Sequence, residues 1–283
     1  MSYLLFDIGG TNMRVAHART MRTFEEPVII ATPLTVEGGM DALRGVTRAV
    51  THGRPLRCAI GGIPDPRGIA DPRRLPRELH WTRRPLARTL ERVLGVPVLL
   101  ENDSALVGLG EATVGAGRGA AIVMYLTVST GVGGARIVDG RIDRSACGFE
   151  PGHQIVVPGG RRCVSCGARG HLQAYIAGPA LRDIHGSDPV AIHSARAWRD
   201  AADVLARGLV NSIVHWSPEV VVLGGSVMER IPLRRVQTSL AEHLRKFPPP
   251  PVRRATLGSV GGLHGALALL RQYRAPLRRV TRS

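Results

Sequence analysis

Two cysteines and a histidine of the stretch RRCVSCGARGHLQAY have the spacing of metal ligands. Cys163 and Cys166, followed after four residues by His171, match the first three ligands of a zinc knuckle. Ile176 stands where the fourth ligand of a knuckle belongs, but His153, ten residues before Cys163, can complete a tetrahedral Cys₂His₂ set. These four residues predict a structural zinc site. A metal-free loop is the alternative, and a redox pair is disfavoured because no thioredoxin-like βαβ pattern surrounds the cysteines.

Two turns rich in glycine and threonine could hold phosphate groups. They are Asp7-Ile-Gly-Gly-Thr11 and Ser129-Thr-Gly-Val-Gly-Gly134, and each lies between two apolar segments that predict a β-hairpin. Glycine lets backbone N–H groups approach phosphate oxygens closely, and the threonine hydroxyls add donors. Asp7 is placed to hold Mg²⁺ or its water shell. Plain tight hairpins are the alternative, but two such turns in one chain favour nucleotide binding.

Two common nucleotide-binding motifs are excluded. A Walker A loop needs Gly-Lys-Ser/Thr, and Lys246, the only lysine, lies between arginine and phenylalanine. The stretch Gly115-Ala-Gly-Arg-Gly119 resembles a dinucleotide fingerprint, but an apolar, strand-like segment follows it where a helix is required. The two glycine turns therefore remain the candidates for phosphate binding.

Composition limits the class of protein. The longest apolar run, AAIVMYL, is far short of the roughly 20 residues of a membrane helix. The N-terminus lacks a secretory pattern, and four cysteines are too few for a disulfide scaffold. We expect a cytoplasmic protein with no membrane contact. The net charge of +16 could suit nucleic acid, but the arginines are scattered and aromatic residues make up only 4%, so we expect no nucleic-acid partner.

The hydrophobic pattern predicts an α/β chain in which one unit occurs twice. A strand, a Gly/Thr turn and a second strand open each half of the sequence, which indicates two similar domains. Further elements are predicted as helices over 42–50, 85–94, 104–112, 201–215 and 265–273, and as strands over 57–60, 96–100 and 219–223.

Five motifs occur in an order that resembles one family. They are Asp7-Ile-Gly-Gly-Thr11 with Arg14, Glu101-Asn-Asp103, Ser129-Thr-Gly-Val-Gly-Gly134, Glu150-Pro-Gly-His153 and Cys166-Gly-x-x-Gly170. Together they resemble the ROK family, which contains sugar kinases, related repressors and unassigned reading frames. Leu79-x-Trp81, Pro85-Leu86 and Gly224-Gly225 extend the resemblance over nearly the whole chain.

The resemblance implies the two-lobed, actin-like (ribonuclease H-like) ATPase fold with the active site in the interdomain cleft. We expect an N-terminal lobe over 1–110, a C-terminal lobe over 111–264 with the zinc-binding loop, and a C-terminal helix at about 265–283 that packs back on the first lobe. Mg-ATP, structural zinc and a homodimer are also implied. The implied contacts to ATP and Mg²⁺ are Asp7, Gly9, Gly10, Thr11, Asn12, Arg14, Thr130, Gly131, Val132, Gly133, Gly134, Gly224 and Gly225.

The resemblance also implies the contacts to a sugar, which are Gly62, Asn102, Asp103, Glu150, His153 and Gln173. Asp103 would be the general base that accepts the proton of a sugar hydroxyl, for which we expect O6; its alternative role is to cap the following helix. Gln173 stands where the family carries a glutamate. A neutral hydrogen bond is about half as strong as a charge-assisted one, so we expect a weaker or altered sugar preference.

The metal ligands also depart from the family pattern. The family has a histidine with three cysteines, two of them spaced Cys-x-Cys, whereas this chain has Cys-x-x-Cys and places His171 where the third cysteine belongs. Both changes are compatible with zinc.

These observations predict an ATP-dependent kinase of a hexose or N-acetylhexosamine. Glucose and the N-acetylhexosamines are the main candidate substrates. The sequences of residues 7–12 and 127–134 are similar to those of N-acetylmannosamine kinases. The alternative is a catalytically weak or inactive sugar-sensing regulator that could bind nucleic acid. The kinase-like pattern already begins at Tyr3, so we expect no helix-turn-helix before it.

Overall fold

A computed structural model describes residues 2–65 and 86–273. The chain divides into two compact units, one formed by the chain up to Gly110 together with the chain from Ser259 onward, and the other by Glu111–Gly258. Of the sequence motifs, Leu79-x-Trp81 and Pro85 lie outside the described residues, as does the arginine-rich tail.

The first unit is built on a five-stranded sheet with the order β3-β2-β1-β4-β5. Its strands are β1 (Ser2–Ile8), β2 (Asn12–Ala18), β3 (Val28–Ala31), β4 (Leu56–Ile63) and β5 (Val98–Asn102). Strands β1, β2 and β3 form an antiparallel meander, and β1, β4 and β5 run parallel. Every residue of β1 is buried, as expected for a central strand covered on both faces.

The second unit repeats this architecture in a sheet with the order β10-β9-β6-β7-β8. Its strands are β6 (Ile122–Val128), β7 (Val132–Val138), β8 (Arg141–Ile142), β9 (Val220–Gly224) and β10 (Val252–Arg254). Strands β6, β7 and β8 form the antiparallel meander, while β9 pairs in parallel with both β6 and β10. The internal repeat indicated by the sequence is therefore a repeat of whole sheets.

Helices cover the sheets of both units. They are α1 (Val36–Thr51), α2 (Leu86–Leu94), α3 (Asp103–Val114) and α8 (Gly261–Gln272) in the first unit or at its boundary, and α4 (Gln173–Ile176), α5 (Gly178–His185), α6 (Ala195–Trp216) and α7 (Leu233–His243) in the second. Helix α8 packs on β1 and β4. It also approaches α3 so closely that a β-carbon at Gly265 would lie 1.7 Å from the Leu106 carbonyl oxygen.

Several elements were longer than predicted or were missed. Helix α6 begins at Ala195, six residues before the predicted start, because the Ser194 hydroxyl accepts the Ala197 N–H and caps it. Helix α7 was missed because its sequence, LRRVQTSLAEH, buries only a narrow stripe of side chains. Strands β3 and β10 are too short to give a periodic pattern.

Candidate active site

Two carboxylates of the first unit lie together around Gly62. Asp7 is the penultimate residue of β1, and Asp103 directly follows β5 and begins α3. A β-carbon at Gly62 would lie 3.1 Å from Asp103 Cα and 3.3 Å from Asp7 Oδ1, so the absent side chain of this glycine leaves room for the Asp7 carboxylate and for the backbone of Asp103. Because β1, β4 and β5 are parallel neighbours, their carboxyl ends meet at one edge, the place where open α/β sheets bind ligands.

The pKa values of both carboxylates are raised. Burial, together with the nearby charge of Asp103, raises the pKa of Asp7 to about 7, although Arg14 partly opposes the shift. The Arg14 Nη1 atom lies 3.6 Å from Asp7 Oδ2. Burial also raises the pKa of Asp103, and hydrogen bonds from Ser104 limit the shift. These groups form an incompletely compensated negative site made of hard oxygen donors, which fits Mg²⁺.

The N-terminal cap of α3 is Asn102 and not Asp103. The Ala105 N–H donates to Asn102 Oδ1 at 3.0 Å, and Asn102 Nδ2 donates to the Pro64 carbonyl at 2.9 Å. Asp103 Oδ1 accepts instead from the Ser104 N–H at 2.6 Å. The alternative capping role considered for Asp103 therefore belongs to its neighbour. Asn102 also ties the end of β5 to the segment that follows β4.

The first Gly/Thr turn, Gly9–Thr11, is held by hydrogen bonds within its hairpin and from Thr32, which directly follows β3. The Gly9 N–H donates to the Asn12 carbonyl at 3.0 Å. Thr32 donates its hydroxyl to the Gly9 carbonyl at 2.7 Å and its N–H to the Thr11 carbonyl at 2.9 Å. Thr11 itself is exposed. Hydrogen bonds therefore hold the backbone of this turn, while the Thr11 residue is exposed to solvent.

Sequence reasoning missed Gly262, which touches the same carboxylate. A β-carbon at Gly262 would lie 2.8 Å from Asp7 Cγ, so only glycine lets α8 approach Asp7 this closely. The available signal was the Gly261-Gly262 pair immediately before an apolar helical pattern.

The second unit brings its Gly/Thr turn together with Gly224 and Gly225. Strands β6 and β9 are parallel neighbours, and the turns that follow them meet through a hydrogen bond of 3.1 Å between the Ser129 and Ser226 hydroxyls. Gly225 has φ +97°, and a β-carbon there would lie 2.3 Å from the Val128 carbonyl oxygen. Close packing of the two turns thus requires glycine at this position. Thr130 is exposed at the tip.

The second turn is shorter than the sequence indicated. It spans 129–131, because β7 already begins at Val132, which pairs with Val128. Gly133 and Gly134 therefore lie in the strand and not in the turn. At Gly134 a β-carbon would lie 2.7 Å from the Tyr125 carbonyl oxygen and 2.8 Å from Pro151 Cγ, so packing between strands explains this glycine.

The predicted metal ligands converge in the second unit. The Cys-x-x-Cys segment forms the turn of a small hairpin in which Arg162 is bridged to Arg169. One ligand atom from each of the four residues, His153, Cys163, Cys166 and His171, lies within 4.8 Å of the others. His171 Nδ1 is 3.2 Å from both Cys166 Sγ and His153 Nδ1. Ligand atoms around a tetrahedral zinc ion lie roughly 3.3–3.8 Å apart, so the cluster fits zinc after small adjustments.

Protonation at this cluster also suits a metal ion. Burial raises the pKa of the Cys163 thiol, but hydrogen bonds from Gln173, the Cys166 N–H, Ser165 and His171 outweigh it and lower the pKa to about 6. Burial and the neighbouring His171 lower the pKa of His153 and keep its imidazole neutral. A thiolate and a neutral imidazole are the forms that bind metals.

The remaining sugar-contact candidates differ in their surroundings. Glu150 is exposed and precedes a short 3₁₀ turn over Pro151–His153, where its carbonyl accepts the His153 N–H at 3.0 Å. Gln173 begins α4, and its amide is hydrogen-bonded to Cys163 and Ser165.

Among the residues that the structure describes, no helix combines the length and the apolar character needed to cross a bilayer.

Known proteins that resemble this chain include sugar kinases. The chain is 29% identical over 262 residues to a glucokinase of Thermotoga maritima, which covers 78% of this chain and 80% of that protein. A kanosamine kinase of Amycolatopsis mediterranei is 31% identical over 301 residues, covering 94% of this chain and 95% of that protein. The crystal structure of a ROK hexokinase from Thermus thermophilus matches with a TM-score of 0.81 at 32% identity, covering 96% and 99% of the two chains.

These matches confirm the predicted fold class, an α/β protein with the actin-like ATPase fold and two sheets. A model described as the ROK family matches residues 5–273, nearly the whole sequence. The chain therefore belongs to the ROK family.

Proposed function

We propose that the protein is an ATP-dependent sugar kinase that phosphorylates a hydroxyl group, O6, of a hexose or N-acetylhexosamine. The observation that carries this proposal is the pair of Asp7 and Asp103 at the carboxyl ends of β1 and β5. The kinases named among its relatives act on glucose and kanosamine by their names, which supports a hexose-like substrate.

Asp103 would act as the general base. The sugar hydroxyl oxygen attacks the γ-phosphorus of ATP, its proton passes to the Asp103 carboxylate, and the bond to the β-phosphate oxygen breaks to leave ADP. Burial raises the pKa of Asp103, which brings a carboxylate closer to the range where a base works best near neutral pH. The position of Asp103 at the start of α3 holds the carboxylate on a rigid element.

Asp7 and each of the two turns are candidates for contacts to the nucleotide. Asp7 would bind Mg²⁺ or its water shell, and the metal, when bound, supplies positive charge against the phosphate oxygens. The Gly9 N–H already donates within its own turn, so the N–H groups of Gly10, Thr11, Thr130 and Gly131 are the candidates to donate to phosphates. Gly224 and Gly225 would let the backbone approach the adenosine.

The Cys/His cluster would hold a structural zinc ion. Zinc there would connect the 3₁₀ turn that carries His153 to the cysteine hairpin, and so would fix the segment on which Glu150 and His153 lie. Glu150, His153 and Asn102 would then contact sugar hydroxyls.

The test is ADP release from MgATP by the full chain with glucose, mannose, fructose, N-acetylglucosamine, N-acetylmannosamine and kanosamine. We expect turnover on at least one sugar, and a loss of about 10²–10⁴-fold in kcat for Asp103→Asn. Asp41→Asn, an exposed carboxylate on α1, is the matched control and should keep full activity. Folded protein that binds both sugar and nucleotide without turnover would contradict the kinase proposal and favour a sugar-sensing regulator.

A further inference from the structure

Gln173 occupies a bridging place between two segments of the second unit. Its Nε2 donates to Cys163 Sγ at 3.1 Å and to the Ser165 hydroxyl at 2.6 Å. Its Oε1 accepts the Val132 N–H at 3.4 Å. One amide group therefore contacts the cysteine hairpin with its nitrogen and the residue after the second Gly/Thr turn with its oxygen.

The position of this amide is closely enclosed. A β-carbon at Gly152 would lie 2.3 Å from the Val132 carbonyl oxygen and 3.1 Å from Gln173 Oε1, and a β-carbon at Gly131 would lie 3.6 Å from the same Oε1. The two segments that carry Gly131 and Gly152 thus meet the cysteine hairpin at the Gln173 side chain. The half-buried amide is held in one orientation by partners on both of its ends.

We propose that Gln173 is a positioning residue that links metal binding at the Cys/His cluster to phosphate binding at the second Gly/Thr turn. The proposal rests on the proposed function, because it assumes that nucleotide binds at the turn. Ordering of the hairpin by a metal ion would fix the amide, and the amide would fix the Val132 N–H and the turn beside it. Coupling of this kind is reciprocal, so bound nucleotide should also tighten metal binding.

The chemistry of an amide fits this place, and that of a carboxylate does not. A thiolate needs N–H donors, and the Val132 N–H needs an acceptor, so the residue between them must supply both. Glutamate supplies acceptors only, and its charge would lie close to the negative sulfur of Cys163. The departure from the glutamate of the family pattern is thereby explained by the partners that Gln173 has in this chain.

The experiment measures binding and needs no turnover. Zinc affinity is measured for the full chain by competition with a chromophoric chelator, and the Kd of MgADP is measured by calorimetry with zinc-loaded and zinc-free protein. In the wild-type protein we expect MgADP to bind about 3–10-fold more tightly when zinc is bound, comparable to the effect of one hydrogen bond. This comparison requires no variant and does not depend on how a substitution folds.

The variants then assign the effect to the amide. Gln173→Glu should lower zinc affinity by about 10–100-fold, as for other hydrogen-bond partners of metal ligands, and should remove the zinc dependence of MgADP binding. Gln173→Met, which keeps the volume and carries no charge, should remove that dependence with a smaller loss of zinc affinity. Gln237→Glu, an exposed glutamine on α7, is the matched control and should change neither quantity.

Three results would overturn the inference. Wild-type protein that takes up no zinc would do so, and so would MgADP affinity that is independent of zinc. The third is a Gln173→Glu protein with wild-type zinc affinity and tighter sugar binding, which would make Gln173 only a neutral form of the sugar ligand. Failure of the proposed function is distinguishable, because absent sugar turnover with intact zinc and MgADP linkage would contradict the kinase proposal alone.

Discussion

The two units share one backbone plan and place different chemistry on it. Asp7 is the penultimate residue of β1 and pairs with Gly62, and Thr127 is the penultimate residue of β6 and pairs with Gly224. A three-residue turn follows each strand. The equivalent positions thus carry a buried carboxylate in one unit and a hydroxyl in the other. The shared backbone therefore supplies an open turn in each unit, while a single side chain decides whether the position beside it is charged.

The largest expected difference is in the use of MgATP. Asp7→Asn should lower kcat/KM for MgATP by about 10²–10³-fold, because it removes the negative charge proposed to hold the metal. Thr127→Val should lower it by no more than about 10-fold, because it removes at most one neutral hydrogen bond. Steady-state kinetics at fixed sugar concentration check this. Equal losses for both variants would contradict the division of roles between the two units.

A second difference concerns stability and pH. Between pH 3.8 and about 7 the folded protein keeps a proton on Asp7 that the unfolded chain has lost, so the stability of the ligand-free protein falls as the pH rises through this window. Asparagine has no proton to lose. Asp7→Asn should therefore raise Tm by ~5 °C at pH 8, equivalent to about 2 kcal/mol, and change it little at pH 4.

Thermal unfolding across this pH range checks that expectation, with Asp41→Asn as the control because this exposed carboxylate should give no such pH trend. A gain in Tm for Asp7→Asn that is equal at pH 4 and pH 8 would show that ionisation of Asp7 is not its source.

The smallest expected effects come from the matched glycines. At Gly62 an added methyl group would lie 3.1 Å from the backbone of Asp103, so Gly62→Ala should displace the carboxylates and lower kcat by about 10-fold with little change in Tm. At Gly224 it would lie 2.6 Å from the Tyr125 hydroxyl. Gly224→Ala should therefore lower Tm by ~3 °C, about 1 kcal/mol, and alter kcat less.

Kinetics and thermal unfolding of the two proteins, measured side by side, check this pair. A loss of activity at Gly224→Ala as large as that at Gly62→Ala would mean that the two equivalent glycines serve the same purpose.

The sequence predicted the parts of the fold whose signal is local. In a hairpin with a glycine turn, as at 7–11, the glycines separate two apolar, strand-like segments. In α6 the apolar residues recur with a helical period over many residues. Strand β10 has three residues and α7 buries only a narrow stripe of side chains, so neither shows an apolar pattern clear enough to be recognised. These elements form because of the sheet and the core that they complete.

For the candidate site, the sequence indicates which residues are candidates, but it does not indicate which partners their side chains contact. Asp103 is a candidate because of its place after a strand, but the cap formed by Asn102 depends on where α3 begins within one residue. The contact of Gln173 with Cys163 depends on the hairpin that joins Arg162 to Arg169. Such contacts are set by turn geometry, which residue spacing alone does not specify.

The glycine contact at Asp7 has a consequence for the order of biosynthesis. Asp7 is made before Gly262, against which its carboxylate packs, because Gly262 belongs to a helix about 150 residues beyond the end of the first segment of the same unit. At ribosomal speeds of about 5–20 residues per second, this delay is on the order of ten seconds. During that time the nascent first sheet lacks the helix that covers β1 and β4. The packing around the Asp7 carboxylate is therefore completed only after the whole second sheet has been synthesised.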